Sequence, residues 1–334
     1  MPAADGQWPQ KELVPMELTD TQVNYFVQNR LKLAKGKRAE YLAQVDHLIE
    51  RFAAAAKGDA VINVRKFLKT GSLRKGTVLR PKGDFGVDAD VAVYLNVSGT
   101  SEFDLANLHS RIRRLLVKIY PTKKPQDFIV QPRTLGIEFL DSGLDMDLVP
   151  LIAIDGPGDY GWQPSSRGEA PVKTSVTKQL EFIRIRKEAY AHFTSLVRLL
   201  KSWRNFQELN DSLRSFTIEL IVSYLQDAQG VPASLEAGLL RFFLYVAESQ
   251  LKQPICFKEC GTPVSLPKDR VVILDPCNAE NNVAQKIANQ DCNGIVNKCR
   301  EAWEMLSYAR NHNSKGQTLE LWKEVFGRSF VIED

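Results

Sequence analysis

The chain has 334 residues, of which 44% are hydrophobic and 25% are charged, and its formal net charge is +4. This length and composition are typical of an ordinary soluble globular protein with room for two lobes, and the mild charge excess decides little. No apolar stretch approaches the ~20 residues of a membrane span, and the N-terminus has neither the basic nor the apolar region of a secretory signal, so we expect no membrane association and a cytoplasmic protein.

The first part of the chain predicts an arm followed by helix. Residues 1–20 carry prolines and little pattern, so we expect an arm that lies on the surface. From residue 21 to about residue 57 apolar residues recur at helical spacing. This spacing predicts one long helix or two helices in line.

A Gly-Ser pair, Gly71 and Ser72, follows at a predicted strand-to-helix junction. Such a turn lets backbone N–H groups and a hydroxyl approach phosphate oxygens closely, although Gly-Ser alone is also a common turn. No acidic residue occurs between Asp59 and Asp84, and the cations in that interval would attract a triphosphate. They are Arg65, Lys66, Lys69, Arg74, Lys75, Arg80 and Lys82.

Three aspartates carry the chemistry. Asp88 and Asp90 stand one residue apart in a β-like run, and Asp147 lies on a later apolar strand. Side chains at i and i+2 of a strand share a face, so the three carboxylates can meet if the strands are neighbours. Clustered carboxylates repel unless cations neutralise them, and oxygen ligands suit Mg²⁺, here two ions with Mn²⁺ as an alternative. A single Asp-x-Asp is usually a solvated strand edge or loop, and Asp84, in the loop at residues 81–86, is a competing acid.

The remaining elements divide the chain into a mixed lobe and a helical lobe. Four strands and one helix are predicted up to residue 152, and a loop dense in Gly and Pro follows at residues 155–161. The pattern is helical thereafter. We expect a catalytic lobe at residues 21–165 and a helical lobe at residues 166–334, with the active site between them. The strands are predicted at 89–95, 128–130, 135–139 and 146–152, and the helices at 104–119, 177–206, 216–225, 235–250, 283–288, 294–309 and 319–326.

Five cysteines fall in the last quarter of the chain. An odd count without a signal sequence argues against a disulfide framework. Cys256, Cys260, Cys292 and Cys299 leave a structural zinc site open, but there is no Cys-x2-Cys pair, and buried reduced thiols are the commoner outcome.

The order Gly-Ser, Asp-x-Asp and a distant third Asp resembles the polymerase-β-like nucleotidyltransferase superfamily. Within it, Asp147-Leu148-Val149-Pro150 and several later segments are similar to the bacterial cGAS/DncV-like nucleotidyltransferases, over roughly residues 60–330. The later segments are 197–203, 215–220, 274–284 and 322–327. The resemblance implies an α/β (α+β) fold: a polymerase-β-like lobe with a mixed sheet, a C-terminal all-helical lobe like that of oligoadenylate synthases, and a long N-terminal spine helix joining them.

The resemblance also implies roles for single residues. Asp88, Asp90 and Asp147 would be catalytic and metal-binding, with Gly71 and Ser72 at the donor nucleotide. Further nucleotide contacts would come from Lys201 and Ser215 at the phosphates and from Phe216 and Asn282 at the base. The residues themselves leave other interpretations open: a solvated helix lysine for Lys201, an N-cap for Ser215, a core residue for Phe216 and a turn residue for Asn282.

The function implied is a cyclic-oligonucleotide synthase of CBASS antiphage defence. It would use ATP and other nucleoside triphosphates, make an adenine-containing cyclic trinucleotide second messenger, and respond to a HORMA-domain activator and duplex DNA. A basic stretch supplies either a DNA surface or a solvated face: Lys173, Lys178, Arg184, Arg186, Lys187, Arg198 and Arg204. The alternatives are a linear oligoadenylate or terminal nucleotide transferase and a catalytically silent nucleic-acid-binding scaffold.

Overall fold

A computed structural model describes residues 17–59, 62–81, 86–96, 102–261, 265–266, 268–312 and 314–333. The competing acid Asp84 and most of the predicted arm therefore lie outside the described residues. Side chains are described for these ranges except at residues 102–106.

In the described part of the chain, seven strands form one mixed sheet with the order β1-β2-β5-β4-β3, extended by β6 on β5 and β7 on β6. Strands β2 and β5 are parallel and the other pairs are antiparallel. The predicted mixed sheet is thereby confirmed. The strands are β1 (Asn63–Thr70), β2 (Val87–Asn96), β3 (Phe128–Val130), β4 (Leu135–Phe139), β5 (Leu144–Ala153), β6 (Gly161–Gln163) and β7 (Val172–Thr174).

Two helices cover one face of this sheet. Helices α2 (Lys35–Ala56) and α4 (Glu102–Ile119) pack on the odd-numbered residues of β2, so that Val87, Ala89 and Val91 are buried. A short helix, α3 (Gly71–Lys75), follows β1 directly. Because successive strand residues point to opposite faces, the even-numbered aspartates of β2 lie on the face that α2 and α4 leave open.

The N-terminal helical segment is interrupted. Helix α1 (Asp20–Phe26) continues into a π-helical turn (Val27–Leu31), and Lys32 is then extended, with φ −76° and ψ 130°, before α2 begins. Leu31 packs in the helical core and Leu33 in the sheet core, so the chain crosses from one core to the other within three residues. Two helices in line are therefore observed rather than one unbroken spine. Leu18 is also buried in the helical core, although we expected the surface arm to extend to residue 20.

The second half of the chain is a helical bundle with one small hairpin. The predicted helix at 177–206 is two helices, because Tyr190, which follows the first, has an extended backbone. The predicted helix at 283–288 forms turns instead. The elements are α5 (Val176–Ala189), α6 (Phe193–Phe206), α7 (Ser215–Gln229), α8 (Leu235–Ser249), β8 (Leu274–Asp275), β9 (Asn278–Asn282), α9 (Asn289–Arg310) and α10 (Lys315–Phe326).

The two cores follow the expected division only in part. Strand β7 belongs to the sheet although it lies beyond residue 165, and α1 packs with the helical bundle. The domain boundaries stay a prediction. Among the described helices, none combines the length and the apolar character that crossing a membrane requires.

Candidate active site

Four carboxylates share the open face of the sheet. In the parallel register of β2 and β5, Asp88 lies opposite Asp145 and Asp90 opposite Asp147. The structure therefore brings together the three aspartates predicted from the sequence. Asp145 was missed, although it stands two residues before Asp147 and the same alternation that pairs Asp88 with Asp90 would have found it.

Glycines border this face where side chains would collide with the acids. Gly71, with φ +66°, backs directly onto Asp90: an added Cβ would lie 1.6 Å from Oδ2 of Asp90. Gly136 of β4 lies opposite Asp147 of β5, and a Cβ added to this glycine would lie 3.0 Å from Oδ1 of Asp147. The Gly-Ser turn thus contacts the carboxylate row itself, and any larger residue at position 71 would displace Asp90.

The acids raise one another's pKa. Burial, followed by the charge of Asp88, raises the pKa of Asp90 to about 6. Burial and the charges of Asp90, Asp88 and Asp145 raise the pKa of Asp147 to about 7. Asp88 is more exposed, yet partial desolvation raises its pKa despite the nearby cations Lys201 and Arg204. The cluster is electrostatically unfavourable, because neighbouring carboxylates repel one another unless a cation neutralises them.

The donor chemistry of this face fits a hard divalent cation such as Mg²⁺, which prefers carboxylate oxygens. Among the described residues, however, no three His, Cys, Asp or Glu side chains are arranged to hold one metal ion. The carboxylates share a face but do not converge on one point. Gathering them would increase their mutual repulsion, which only a cation offsets.

The four cysteines considered for zinc are not brought together. Cys299 is fully buried in the helical core, whereas Cys256 is exposed. The Sγ atom of Cys260 donates to the carbonyl of Phe257, and that of Cys292 to the carbonyl of Gln250. Burial, followed by the charge of Cys260, raises the pKa of Cys256, so these two thiols are neighbours, but no three His, Cys, Asp or Glu side chains of the described residues are arranged to hold one metal ion.

Lys201 is buried, so the interpretation as a solvated helix lysine is wrong. Its Nζ donates to the carbonyl oxygen of Thr77 at 3.0 Å, and only 5% of the residue is exposed. Burial lowers its pKa to about 8, and the carboxylate of Glu219 acts in the opposite direction. The hydrogen bond holds the lysine against the segment that follows the Gly-Ser turn. There its positive charge opposes the raising of the Asp88 pKa by burial.

Ser215 is the first residue of α7 and not its N-cap, which is Arg214. Its hydroxyl accepts a hydrogen bond from Nη1 of Arg204 at 3.1 Å. The neighbouring Phe216 is partly buried against the helical core, and the Lys75 ammonium lies 4.7 Å from its ring centroid. Lys75 was predicted among the cations that would attract a triphosphate and Arg204 in the basic stretch, but their contacts with Phe216 and Ser215 could not be read from the sequence. The roles of Ser215 and Phe216 toward a nucleotide stay predictions.

The side-chain amide of Asn282 is fully occupied by hydrogen bonds to nearby residues of the same hairpin region. Its Nδ2 donates to Asp269 and to the carbonyl of Val271, and its Oδ1 accepts from the N–H groups of Ile273 and Ala284, all at 2.8–3.0 Å. The residue is 4% exposed. These contacts favour the turn-stabilising interpretation, and a contact with a base stays a prediction.

Helix α5 does not present the basic surface that its sequence suggested. Arg184 is bound by Glu181 and Glu188. Arg186 is 3% exposed and pairs with Asp227 and Glu259. Nζ of Lys187 donates to the carbonyl of Lys75 at 2.7 Å. Arg186 and Lys187 are engaged within the protein, so for these two the interpretation as a DNA surface or a solvated face is wrong, whereas Arg184 stays exposed and fits the solvated-face interpretation.

The chain as a whole is similar to known proteins, although no family model matches it. It is 38% identical over 319 residues to the CBASS oligonucleotide cyclase CdnC of Escherichia coli strain KTE188, covering 96% of this chain and 99% of that protein. It is 30% identical over 311 residues to the cyclic AMP-AMP-AMP synthase of E. coli strain MS 115-1, covering 91% and 95%. The structure of E. coli MS115-1 CdnC in complex with HORMA-deltaN superimposes with a TM-score of 0.78 at 29% identity, covering 94% and 98%; the same protein with ATP gives 0.79.

Asp147→Asn should stabilise the metal-free protein at pH 8. The pKa of Asp147 is about 7 in the folded chain against 3.8 as the ordinary value, so between these pH values the folded state binds more protons and stability falls as the pH rises. The amide removes this penalty. In EDTA we expect a melting temperature at least about 2 °C above that of the wild type at pH 8, with the difference vanishing near pH 4. A lower melting temperature at pH 8 would contradict the repulsion within the cluster.

Proposed function

Because the chain belongs to the cGAS/DncV-like nucleotidyltransferases, the family of the CBASS oligonucleotide cyclases, we propose that it joins nucleoside triphosphates into a cyclic oligonucleotide at the carboxylate face of β2 and β5. The family, the fold class and the enzyme class predicted from the sequence are confirmed. One observation carries the proposal for the site: Asp90 and Asp147 lie side by side in a parallel register, and Asp90 is directly behind the glycine of the Gly-Ser turn.

The names of the relatives support a specific substrate and product. A relative at 30% identity is a cyclic AMP-AMP-AMP synthase, and a solved relative carries ATP. We therefore assign ATP as the main substrate and a cyclic trinucleotide of adenine as the product, acting as a second messenger in CBASS antiphage defence. The complex of CdnC with HORMA-deltaN supports a HORMA-domain protein as the partner.

The carboxylates of Asp88, Asp90 and Asp147 would hold Mg²⁺, as two ions, with Mn²⁺ as an alternative. When bound, such ions lower the pKa of an attacking hydroxyl and neutralise charge on the phosphates. The support is the oxygen-only donor set and the raised pKa values, which mark carboxylates that a cation would stabilise.

The protein's own groups bind and orient the two nucleotides. Asp147 would orient the acceptor ribose hydroxyl, whose oxygen forms the new bond to the α-phosphorus as the bond to pyrophosphate breaks. Ser72, Lys201 and Ser215 would hold the donor phosphates. The ammonium of Lys201 is positioned for this before any nucleotide arrives, because the Thr77 carbonyl fixes it within a buried site where its charge is poorly screened.

The double variant Asp88→Asn/Asp90→Asn should make no oligonucleotide, because it loses two carboxylates that would hold the metal ions. It should keep its fold, because two negative charges are removed from a cluster in which they repel one another. Product formation from ATP and Mg²⁺ is measured by mass spectrometry and the melting temperature by calorimetry. Product at the wild-type rate would remove these residues from the metal site and leave Asp84 as the candidate.

Replacing Lys201 should weaken the donor nucleotide specifically. Lys201→Met keeps the length and apolar stem but loses the charge, and we expect binding of ATP to weaken by about 1.5–3 kcal/mol, the size of one charge-assisted contact. Lys323→Met is the matched control, since Lys323 is a helix lysine that pairs with Glu320 on α10, far along the chain from the site. Equal affinities of both variants for ATP would refute the assignment.

The product should be cyclic and its synthesis should depend on a partner. The purified chain is incubated with ATP alone and with ATP plus each other nucleotide, with and without a HORMA-domain protein and duplex DNA. We expect an adenine trinucleotide that resists phosphatase, in larger yield with the partner. A phosphatase-sensitive product would favour the linear transferase, and absence of turnover in every mixture would favour the silent scaffold.

A further inference from the structure

The segment after the Gly-Ser pair, residues 73–78, is bound by cations from both halves of the molecule. Its backbone carbonyl groups accept hydrogen bonds from side chains of α2, α5 and α6. These are Arg38 to Leu73, Lys187 to Lys75, Arg198 to Gly76 and Val78, and Lys201 to Thr77. Side chains of the helical bundle therefore hold this segment of the sheet lobe by its backbone carbonyl groups. These hydrogen bonds depend on the path of the backbone and not on the side chains of the segment.

One buried carboxylate lies among these cations. Glu219 of α7 has no exposed surface. Its Oε1 accepts a hydrogen bond from Oγ1 of Thr77 at 2.9 Å, and its Oε2 accepts one from Nζ of Lys75. A buried carboxylate is expensive unless it is paired and hydrogen-bonded, and here two groups of the 73–78 segment pair with it.

These contacts connect Glu219 to both groups assigned to the donor phosphates. The hydroxyl of Thr77 donates to Glu219 and the carbonyl of Thr77 accepts from Lys201, so Glu219 positions the residue that in turn positions the lysine. Lys75 ends the short helix α3, which carries Ser72. The charge of Glu219 also opposes the lowering of the Lys201 pKa by burial.

We propose that Glu219 is a positioning residue for the donor nucleotide: through Thr77 and Lys75 it sets the position of Ser72 and Lys201 relative to each other without contacting the nucleotide. The proposal rests on the function assigned above, in which Ser72 and Lys201 bind the donor phosphates. It differs from a purely stabilising role, in which loss of Glu219 would lower the melting temperature and leave nucleotide affinity unchanged.

Isosteric variants separate the two roles. Glu219→Gln keeps an acceptor for the Thr77 hydroxyl but removes the negative charge that pairs with Lys75. Thr77→Val loses the hydroxyl, and Thr77→Ser keeps it. We measure the Kd of a non-hydrolysable ATP analogue with Mg²⁺, together with KM and kcat for ATP, at a temperature well below each melting point. We expect Glu219→Gln and Thr77→Val to weaken binding of the analogue at least about tenfold, and Thr77→Ser to bind as the wild type does.

The matched control lies on the same helix. Asp227 of α7 pairs with the buried guanidinium of Arg186, whose other hydrogen bonds go to Glu259 and to the carbonyl of Phe182 rather than to the 73–78 segment. Asp227→Asn removes the carboxylate charge that pairs with Arg186, just as Glu219→Gln removes the one that pairs with Lys75. We expect it to lower the melting temperature while the affinity for the ATP analogue stays that of the wild type.

The outcomes are distinguishable. Wild-type affinity in both Glu219→Gln and Thr77→Val would overturn the proposal, as would an equal loss of affinity in Asp227→Asn. If Glu219→Gln does not fold, Thr77→Val against Thr77→Ser decides, because these variants test the same hydrogen bond from its other end. If the wild type binds the analogue but makes no oligonucleotide, the proposed function fails and the positioning role of Glu219 stands; if the wild type binds no nucleotide, both fail.

Discussion

The parallel pairing of β2 with β5 is the constraint on which the site depends. It places two rows of carboxylates next to each other, although like charges at this distance repel and raise each other's pKa. The alternate residues of the same strands are buried against α2 and α4. The register cannot slip by one residue to separate the acids, because every apolar side chain of the strand would then turn away from the core. The apolar face thus enforces a charged arrangement that would be unstable alone.

The second constraint is the contact between the sheet lobe and the helical bundle at residues 73–78. Two helices of the bundle, α5 and α6, direct cations to carbonyl groups of this segment, and Glu219 of α7 accepts hydrogen bonds from two of its side chains. Because the Gly-Ser turn leads into this segment, a displacement of α5, α6 or α7 would move the turn relative to Asp90.

Sequence reasoning placed the central strands and the acids correctly, because both follow local rules. Strand alternation puts Asp88 and Asp90 on one face, and the apolar runs after the acids predict strands β2 and β5 within two residues of their ends. Strand β1 was expected only as the strand before the Gly-Ser junction, without bounds, and β6 and β7 were missed because Gly-Trp-Gln and Val-Lys-Thr are not apolar runs as Phe-Ile-Val of β3 is. Helix α5 shows where such reasoning fails: Arg184, Arg186 and Lys187 look alike in sequence, yet one pairs at the surface, one is buried and one binds a backbone carbonyl.

The sequence by itself determined a mixed lobe followed by a helical one and the order of the acids behind a Gly-Ser turn, since these depend on residue type, spacing and periodicity, and its resemblance to known motifs indicated the family. Tertiary structure alone decided the environment of each charge. Three facts follow from how distant parts of the chain pack together. Lys201 is buried, Ser215 accepts a hydrogen bond from Arg204, and Glu219 accepts one from Thr77, which is 142 positions away in the chain. Desolvation and pairing depend on neighbours distant in sequence, and no local pattern encodes them.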